Sequence, residues 1–482
     1  MTASPPHTAP GACDVAIVGG GIAGLAAAYE LSRRGISFIV LERAARAGGV
    51  ILSEEVDGFT IDGGPDSLLI QKPEAIALCT EIGLADRLVS TRPPRIAYIQ
   101  RNGRLHALPA ASVLGIPTRI GPLVGTTLFS WAGKLRMGAE LFVAPKRDEA
   151  DESIGAFMRR RFGDEAVTYL AEPLLAGIHA GDVDRLSVRA LFPRLVDAER
   201  KHGSLLRAFR IRNPIRNPIR NPQSAIRNTE GAFKSLPGGL SEMVRALVGA
   251  LGPEHIRLNT GVDAITGRGP FLVRVSTGAS IEAKAVVLAT PAYAAAPLLR
   301  DRDEELARLA GEIPYASAAT VALAFERGHV RHPLTGSGFV VPRVENTGIL
   351  AASWLSSKWP HRAPEGRVLM RAFLGGARDP QAIERSDAEL VQTSLTALRG
   401  LLGIDHGPLF TRIYRWNRGN AQHEVGHLDR MAAIDRALTR HPGLFITSSG
   451  FRGVGIPDCV ADGRKTGAAA ARWIGESLKS EI

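Results

Sequence analysis

The sequence contains few cysteines, few aromatic residues and no long apolar run. Its three cysteines, Cys13, Cys79 and Cys459, are far apart and form no C-x-x-C pair, which argues against a disulfide framework and a zinc site and favours a reducing compartment. No stretch of about 18 residues lacks both charge and proline, and the N-terminus MTASPPHTAPGA has no secretory signal pattern. We therefore expect a cytoplasmic protein without a metal site.

The rest of the composition is that of a folded protein with several domains. Of 482 residues, 45% are apolar and 22% charged, close to globular averages, and the length predicts two or three domains. The formal net charge of +11 favours an anionic partner, which is a nucleic acid, a bilayer surface or a small acid. No Ser/His/Asp set, paired carboxylates or metal-ligand cluster stands out, so no catalytic side chain is nominated.

The N-terminal segment CDVAIVGGGIAGLAAAYELSRRGISFIVLER predicts a strand, a glycine turn, a helix and a second strand. Its glycines satisfy G-x-G-x-x-G, a spacing that permits a tight turn, the approach of a pyrophosphate and close helix packing. A glutamate at the end of the second strand can accept hydrogen bonds from a ribose diol. We therefore predict dinucleotide binding by Gly19, Gly21, Ile22, Ala23, Gly24 and Glu42.

Two further segments indicate which dinucleotide is bound. ERAARAGG (residues 42–49) has the form E-x-x-x-R-x-G-G, which resembles the extended fingerprint of the FAD-containing amine oxidase and protoporphyrinogen oxidase superfamily. GFRGVGIPDCVADGRKTG (residues 450–467) resembles the second glycine loop of that superfamily. Its core, RGVGIPDC, is most similar to oxygen-dependent protoporphyrinogen oxidases and bacterial coproporphyrinogen III oxidases. Stretches such as DGGPDSLL, GIHAGDVDRLSVRALFP and GSGFVVP extend the resemblance along most of the chain.

The resemblance implies that FAD is bound without a covalent bond. Val262 is expected to offer its backbone to the adenine, with ordinary strand packing as the alternative. Cys459 follows the glycine loop, whereas the thioether cysteines of some relatives precede it, so an inert helix-packing role is expected. The remaining implied FAD contacts are Arg43, Arg46, Gly48, Gly49, Gly64, Pro65, Asp66, Ser67, Gly450, Gly453, Val454, Gly455 and Ile456.

The resemblance also implies the reaction. Protoporphyrinogen IX is expected to lose six electrons through hydride transfer to flavin N5, with O2 as acceptor and H2O2 as product, in haem biosynthesis; coproporphyrinogen III is the alternative substrate. Arg95 is expected to pair with a substrate propionate, with a basic hairpin surface as the alternative. Val340 and Phe373 are expected to contact the pyrrole rings, with core packing as the alternative. Tyr98 and Lys358 are further substrate candidates.

Two other classes of function stay open. An amine oxidase or carotenoid desaturase is expected to lack both the Arg-Gly-Val-Gly core and an anchor such as Arg95. A non-enzymatic binding protein on the same fold, like the prenyl-protein escort factors, is disfavoured because Glu42, Arg46 and Gly49 are all present.

The predicted fold class is α/β (α+β), with a Rossmann-like FAD-binding domain built from discontinuous segments. A substrate domain has a mixed or antiparallel sheet, and a helical domain is inserted. The expected boundaries are 12–92, 231–297 and 410–478 for the FAD-binding domain, 93–109 and 298–409 for the substrate domain, 110–210 for the helical domain and 211–230 for a loop with an IRNP repeat.

Basic clusters in the helical block, KLRMGAELFVAPKR and MRRRF, predict peripheral contact with the inner face of the cell membrane. A helical lid over the substrate is the alternative. Nucleic acid is not expected, because the basic repeat lacks interleaved aromatics. A homodimer and hand-over of the product to a ferrochelatase are further expectations. One local departure is AQHEVGH (residues 421–427), where many relatives have Pro-Gln-Tyr before the Gly-His pair.

Overall fold

The computed structural model of the protein describes residues 12–108, 112–113, 116–117, 120–211 and 231–480. The predicted IRNP loop lies, apart from Ile211, outside these residues. The strands are β1 Ala12–Val18, β2 Phe38–Leu41, β3 Ser53–Val56, β4 Phe59–Asp62, β5 Leu68–Leu69, β6 Val89–Ser90, β7 Ala97–Arg101, β8 Arg104–Ala107, β9 Ser112–Val113, β10 Ile116–Pro117, β11 Phe233–Ser235, β12 Ile256–Arg257, β13 Val262–Thr266, β14 Phe271–Val275, β15 Ser280–Leu288, β16 Tyr315–Glu326, β17 Gly338–Val340, β18 Ala351–Ser353, β19 Arg367–Gly375, β20 Phe410–Ala421 and β21 Leu444–Ile446. The α-helices are α1 Ile22–Ser32, α2 Glu74–Glu81, α3 Ile120–Gly125, α4 Trp131–Gly138, α5 Ile154–Phe162, α6 Asp164–Ala166, α7 Glu172–His179, α8 Val188–Leu191, α9 Pro193–His202, α10 Leu205–Ile211, α11 Ser241–Leu251, α12 Ala292–Leu299, α13 Glu304–Gly311, α14 Leu355–Lys358, α15 Asp387–Leu402, α16 His427–Leu438 and α17 Ile456–Ser480.

The first sheet contains the nucleotide-binding unit that the N-terminal segment predicts. Its order is β12–β2–β1–β15–β14–β13, and β21 pairs with the second half of β15. The strands β12, β2, β1, β15 and β21 are parallel, while β14 and β13 are antiparallel. β2 is wholly buried, because parallel strands are covered on both faces. The strands come from distant parts of the chain, which confirms the predicted fold class.

Helices α1 and α17 cover this sheet side by side and in close contact. A Cβ atom on Gly463 would lie 2.2 Å from the carbonyl oxygen of Ala23, and one on Gly467 would lie 2.5 Å from that of Ala27. Because the two contacts advance in the same direction along both helices, the helices are parallel. α17 begins seven residues before Gly463 and α1 one residue before Ala23, so the N-terminus of α17 projects about 9 Å beyond that of α1.

The second sheet has the order β20–β16–β19–β18–β17–β7–β8 and is antiparallel except for the β17–β7 pair. The hairpin of β7 and β8 turns at Asn102 and Gly103, with φ angles of 50° and 67°, as the Asn-Gly pair predicts. One face of the sheet packs on α15 through Phe339, Trp354 and Leu398.

The second sheet resumes at residue 315, against the expected 298, and continues to residue 421, against the expected 409. Helix α13 packs through Leu306 and Leu309 on the first sheet rather than the second, so the part of the second sheet that follows this helix begins at β16. At the other end, β20 pairs with β16 almost throughout, so residues 410–421 belong to the second sheet and not to the C-terminal FAD segment. Its period-two pattern is masked by polar residues on both faces.

The helical insertion, α3 to α10, has its own apolar core around Phe157, Phe162 and Leu170. Arg161 is fully buried there beside the carboxylates of Glu140 and Glu199. The two carboxylates compensate the buried guanidinium charge, which would strongly destabilise the fold if it had no partner. One edge of the insertion packs on Ile99 and Val340 of the second sheet, which brings the helices over that sheet.

Candidate active site

The glycine turn after β1 leaves open space in front of α1. A Cβ atom on Gly19 would lie 2.8 Å from the carbonyl oxygen of Ala289, and one on Gly24 would lie 2.0 Å from that of Gly19. A Cβ atom on Gly21 would meet no described atom within 4 Å. In the described part of the chain no side chain caps α1. The first-turn N–H groups, which include those of Ile22 and Ala23, therefore face a space suited to an anion.

The carboxylate of Glu42 lies beside this turn. Its oxygens accept hydrogen bonds from the backbone N–H groups of Gly20 at 2.7 Å and Ala44 at 2.8 Å, and each oxygen retains a lone pair for a ribose hydroxyl. The N–H of Thr260 donates to the carbonyl of Glu42 at 2.8 Å. This contact places Val262, at the start of β13, close to the same end of the sheet.

Arg46 holds the neighbouring loop against the turn. Its guanidinium donates to the carbonyl of Gly49 at 2.6 Å and to that of Ile51 at 3.0 Å, while Gly48 N–H donates to the carbonyl of Gly20 at 2.8 Å. These donors are used on the backbone, so the guanidinium shapes the loop in addition to supplying positive charge. Arg43 is exposed at the edge of this group.

The C-terminal glycine loop (residues 449–455) ends at the N-terminus of α17, where Ile456 begins the helix. A Cβ atom on Gly450 would lie 2.2 Å from the Tyr315 hydroxyl, and one on Gly453 would lie 2.3 Å from the Asp458 side chain. Because α17 projects beyond α1, this loop, which includes Val454 and Gly455, and the first glycine turn lie at the same edge of the sheet. A long dinucleotide can contact both helix N-termini there.

Cys459 is buried in the first turn of α17. Its sulfur lies 3.4 Å from the carbonyl oxygen of Gly453, and burial raises the pKa of the thiol to about 12. The thiol is therefore protonated and unreactive at neutral pH, in agreement with the inert packing role expected from the sequence.

A buried ion-pair group fixes the loop that contains Gly64, Pro65 and Ser67. The carboxylate of Asp66 lies 3.0 Å from Lys358 Nζ and 3.5 Å from the guanidinium of Arg371. Burial alone would raise the pKa of Asp66, but these two cations hold it well below its usual range. Arg371 also donates to the carbonyl of Gly64 at 2.6 Å. The Lys358 ammonium, predicted to contact substrate, is thus paired with Asp66.

The two predicted ring contacts share one face of the second sheet. Val340 pairs with Ala351, and Ala351 pairs with Phe373, and directly opposed residues project to the same side. The insertion covers Val340 and Ala351, since a Cβ atom on Gly177 of α7 would lie 3.2 Å from Val340 Cγ1 and 3.5 Å from Ala351 Cβ. Half-buried Phe373 lies at the opposite end of the row.

The other end of the row meets the loop that contains Gly63 and Asp66. Phe373 pairs with Thr320, whose hydroxyl donates to the carbonyl of Gly63 at 2.8 Å. The guanidinium of Arg371 lies 4.7 Å from the centroid of the Phe373 ring. We call the row Val340, Ala351 and Phe373 the substrate wall. It lies between the helical insertion and the loop that contains Asp66.

Two substrate candidates lie apart from this wall. Tyr98 pairs with Phe339, so it projects to the opposite face, where its ring centroid is 5.7 Å from that of Trp354. Arg95 is exposed before β7, and its Nε donates to the carbonyl and hydroxyl of Thr91, each at 3.1 Å. Arg95 is therefore held at the surface rather than inside a buried pocket.

Arg371 and a stacked pair, His423 and His427, were not predicted from the sequence. Arg371 lies two residues before Phe373, so strand alternation places both on one face. A single arginine within the apolar run VLMRAFL is the signal that could have identified it. The histidines lie in AQHEVGH, the segment that differs from the family pattern, and their ring centroids are 3.8 Å apart.

Comparison with known proteins identifies the family. The profile described as flavin containing amine oxidoreductase matches residues 22–471. A coproporphyrinogen III oxidase of Bacillus subtilis (strain 168) is 35% identical over 95% of this chain and 98% of its own. Protoporphyrinogen oxidase 1, chloroplastic, of Arabidopsis thaliana is 29% identical over 94% and 87%. A crystal structure from Exiguobacterium sp. 255-15 superposes with a TM-score of 0.84 at 32% identity, over 95% of this chain and 99% of that chain.

The geometry fits the cofactor of this family. The open space before the uncapped helix α1 accommodates a pyrophosphate, Glu42 accommodates a ribose, and the second helix N-terminus lies about 9 Å further on. The chain belongs to the flavin-containing amine oxidoreductase family and is an FAD-dependent oxidoreductase.

Proposed function

We propose that the protein oxidises a porphyrinogen to the corresponding porphyrin with O2 as electron acceptor. The observation that carries the proposal is the substrate wall, a flat apolar row beside the loop that contains Asp66. A macrocycle needs such an apolar wall near the flavin. The relatives from bacteria and plants are named for two porphyrinogens. We place coproporphyrinogen III first, ahead of protoporphyrinogen IX, because the bacterial relative named for it has the higher identity.

The side chains of this site position the reactants. When bound, flavin accepts a hydride equivalent and passes the electrons to O2. Phe373 and Val340 exclude water from one face of the macrocycle. The ion pairs of Asp66 with Lys358 and Arg371 fix the adjacent loop that contains Gly64. The guanidinium of Arg371, paired with Asp66, lies at the same junction. Protein groups thus supply orientation rather than a general base.

Arg95 is proposed to attract a propionate from the surface of the site. For the Arg95→Ala variant we expect the KM for coproporphyrinogen III to rise about tenfold with kcat nearly unchanged, since one charge-assisted contact contributes about 1.5 kcal/mol or more. Protoporphyrinogen IX has fewer propionates, so its KM should change less. Porphyrin fluorescence with each substrate measures both constants.

Arg92 provides the matched control for this experiment. It is also exposed but lines a separate surface groove with Arg327 and Arg367, so Arg92→Ala should retain the wild-type KM. If Arg95→Ala left the KM of both porphyrinogens unchanged, the proposed anchor would be wrong, while the activity itself would still identify the substrate class.

We also propose that the helical insertion contacts an anionic bilayer surface. Trp131 and Leu135 are 67% and 73% exposed one helical turn apart on α4, and Lys134 Nζ lies 4.4 Å from the Trp131 ring centroid. Phe142 is 86% exposed just beyond the helix. Large exposed apolar side chains beside a cation suit the membrane interface. No helix in the described ranges has the length and apolar character needed to cross a bilayer. The homodimer and product hand-over stay predictions.

Vesicle sedimentation tests the membrane proposal. The double variant Trp131→Glu with Leu135→Glu should bind phosphatidylglycerol vesicles at least about tenfold more weakly than wild type, because two apolar contacts become charges. Val344→Glu, which alters a 63% exposed valine in a turn of the second domain, is the control and should bind normally. Equal sedimentation of wild type and the double variant would contradict the proposal.

A further inference from the structure

The stacked histidines lie directly behind the C-terminal glycine loop. His427 is the first residue of α16, and His423 lies four residues earlier. Their rings are nearly parallel, with an interplanar angle of 10° and a centroid separation of 3.8 Å. Both side chains are buried. Each Nε2 atom faces the loop rather than solvent.

Each histidine contacts a different carbonyl of that loop. His423 Nε2 lies 3.0 Å from the carbonyl oxygen of Ser449, and His427 Nε2 lies 2.8 Å from that of Phe451. A carbonyl only accepts hydrogen bonds, so each Nε2 must carry a proton. The two donors thus hold the backbone on both sides of Gly450.

We propose that His423 and His427 are positioning residues that fix the C-terminal glycine loop against the flavin. The inference rests on the placement of this loop at the cofactor. With the Nε2 atoms as donors, the neutral rings keep Nδ1 as an acceptor, and Nδ1 of His427 is buried without a hydrogen-bond partner. Protonation would create an unpaired buried charge next to a stacked ring, so the arrangement requires two neutral imidazoles.

The surroundings favour the neutral forms. Burial lowers the pKa of His423 to about 3, with His427 and His179 adding to the effect. Burial also lowers the pKa of His427, and nearby Arg430 lowers it further, although the Phe451 carbonyl and Asp151 act in the opposite direction. The Ser449 carbonyl likewise opposes the lowering of the His423 pKa. The pKa of each histidine in the folded protein is lower than the value of 6.5 in an unfolded chain, so the histidines stabilise the loop fully above pH 6.5. The stabilisation is lost progressively as the pH falls below 6.5.

Two substitutions at His423 distinguish the effect of the Nε2–H donor from that of the aromatic ring. His423→Gln retains an N–H at about the reach of Nε2 but does not titrate, whereas His423→Phe retains a flat ring without a donor. In the holoprotein at pH 7.5, His423→Phe should speed amide hydrogen exchange in residues 449–455 and weaken FAD binding, each roughly fivefold. His423→Gln should stay within about twofold of wild type.

The pH profile distinguishes positioning from simple packing. The rate of FAD release, followed by FAD fluorescence from pH 7.5 to 4, should rise more steeply below pH 6.5 in wild type. In both His423 variants the pH dependence of this rate should correspond to about one proton fewer. His332→Phe, which removes a half-buried histidine from the second domain, should leave exchange in the loop unchanged. Wild-type exchange in His423→Phe, or a wild-type pH slope in His423→Gln, would overturn the proposal. Neither readout requires turnover of a porphyrinogen.

Discussion

Replacing Gly24 by valine is expected to give a protein that no longer retains FAD. A Cβ atom at this position would lie 2.0 Å from the carbonyl oxygen of Gly19 and 3.0 Å from the Cβ of Ala289. The obstacle is backbone in a tight turn and cannot rotate away, so α1 must move and open the first glycine turn. We expect affinity for FAD to fall at least about a hundredfold, which corresponds to about 2.7 kcal/mol. Calorimetric titration of the apoprotein with FAD measures this change.

Gly475 supplies the control for this substitution. It lies in α17, and a Cβ atom there would meet no described atom within 4 Å, so Gly475→Ala should bind FAD with wild-type affinity. Circular dichroism of Gly24→Val separates local displacement of α1 from global unfolding. A Gly24→Val protein that retained stoichiometric FAD would show that the turn does not approach the cofactor.

Neutralising Asp66 is expected to produce the largest loss of stability at the site. In Asp66→Asn the ammonium of Lys358 and the guanidinium of Arg371 lose their common carboxylate partner while remaining largely buried. Breaking one partner of a buried ion pair typically costs about 3–5 kcal/mol. The unfolding midpoint in urea should fall accordingly with little change in slope.

An exposed ion pair provides the comparison. Glu312 and Arg308 are one helical turn apart, and their side chains are 44% and 58% exposed, so Glu312→Gln should change the free energy of unfolding by less than about 1 kcal/mol. If Asp66→Asn were no more destabilising than Glu312→Gln, the buried group would not fix the loop that contains Gly64.

The part of the site that local sequence patterns determine could be predicted. The glycine turn, α1 and β2 follow one another within about thirty residues, and the spacing of Gly19, Gly24 and Glu42 alone indicates their roles. The turn at Asn102 and Gly103 is likewise local, because both residues tolerate positive φ angles. The second glycine loop required the family resemblance, since nothing in its local pattern shows that α17 packs beside α1.

What could not be predicted depends on pairing between distant segments. The register of β7 against β17, more than 200 residues later in the sequence, decides whether Tyr98 or its neighbour Ile99 lies on the same sheet face as the substrate wall. The same holds for Arg371, whose partner Asp66 lies about 300 residues away. The residue at which the second sheet resumes is another such case, because α13 has an amphipathic pattern that would suit either sheet.

Anaerobic reduction of the purified holoprotein tests the central claim most directly. Coproporphyrinogen III added without oxygen should bleach the visible absorption of bound FAD, and admission of air should restore it while porphyrin fluorescence appears. Protoporphyrinogen IX, run in parallel, ranks the two substrates. A flavin that dithionite bleaches but neither porphyrinogen reduces would contradict the assignment of this site to porphyrinogen oxidation.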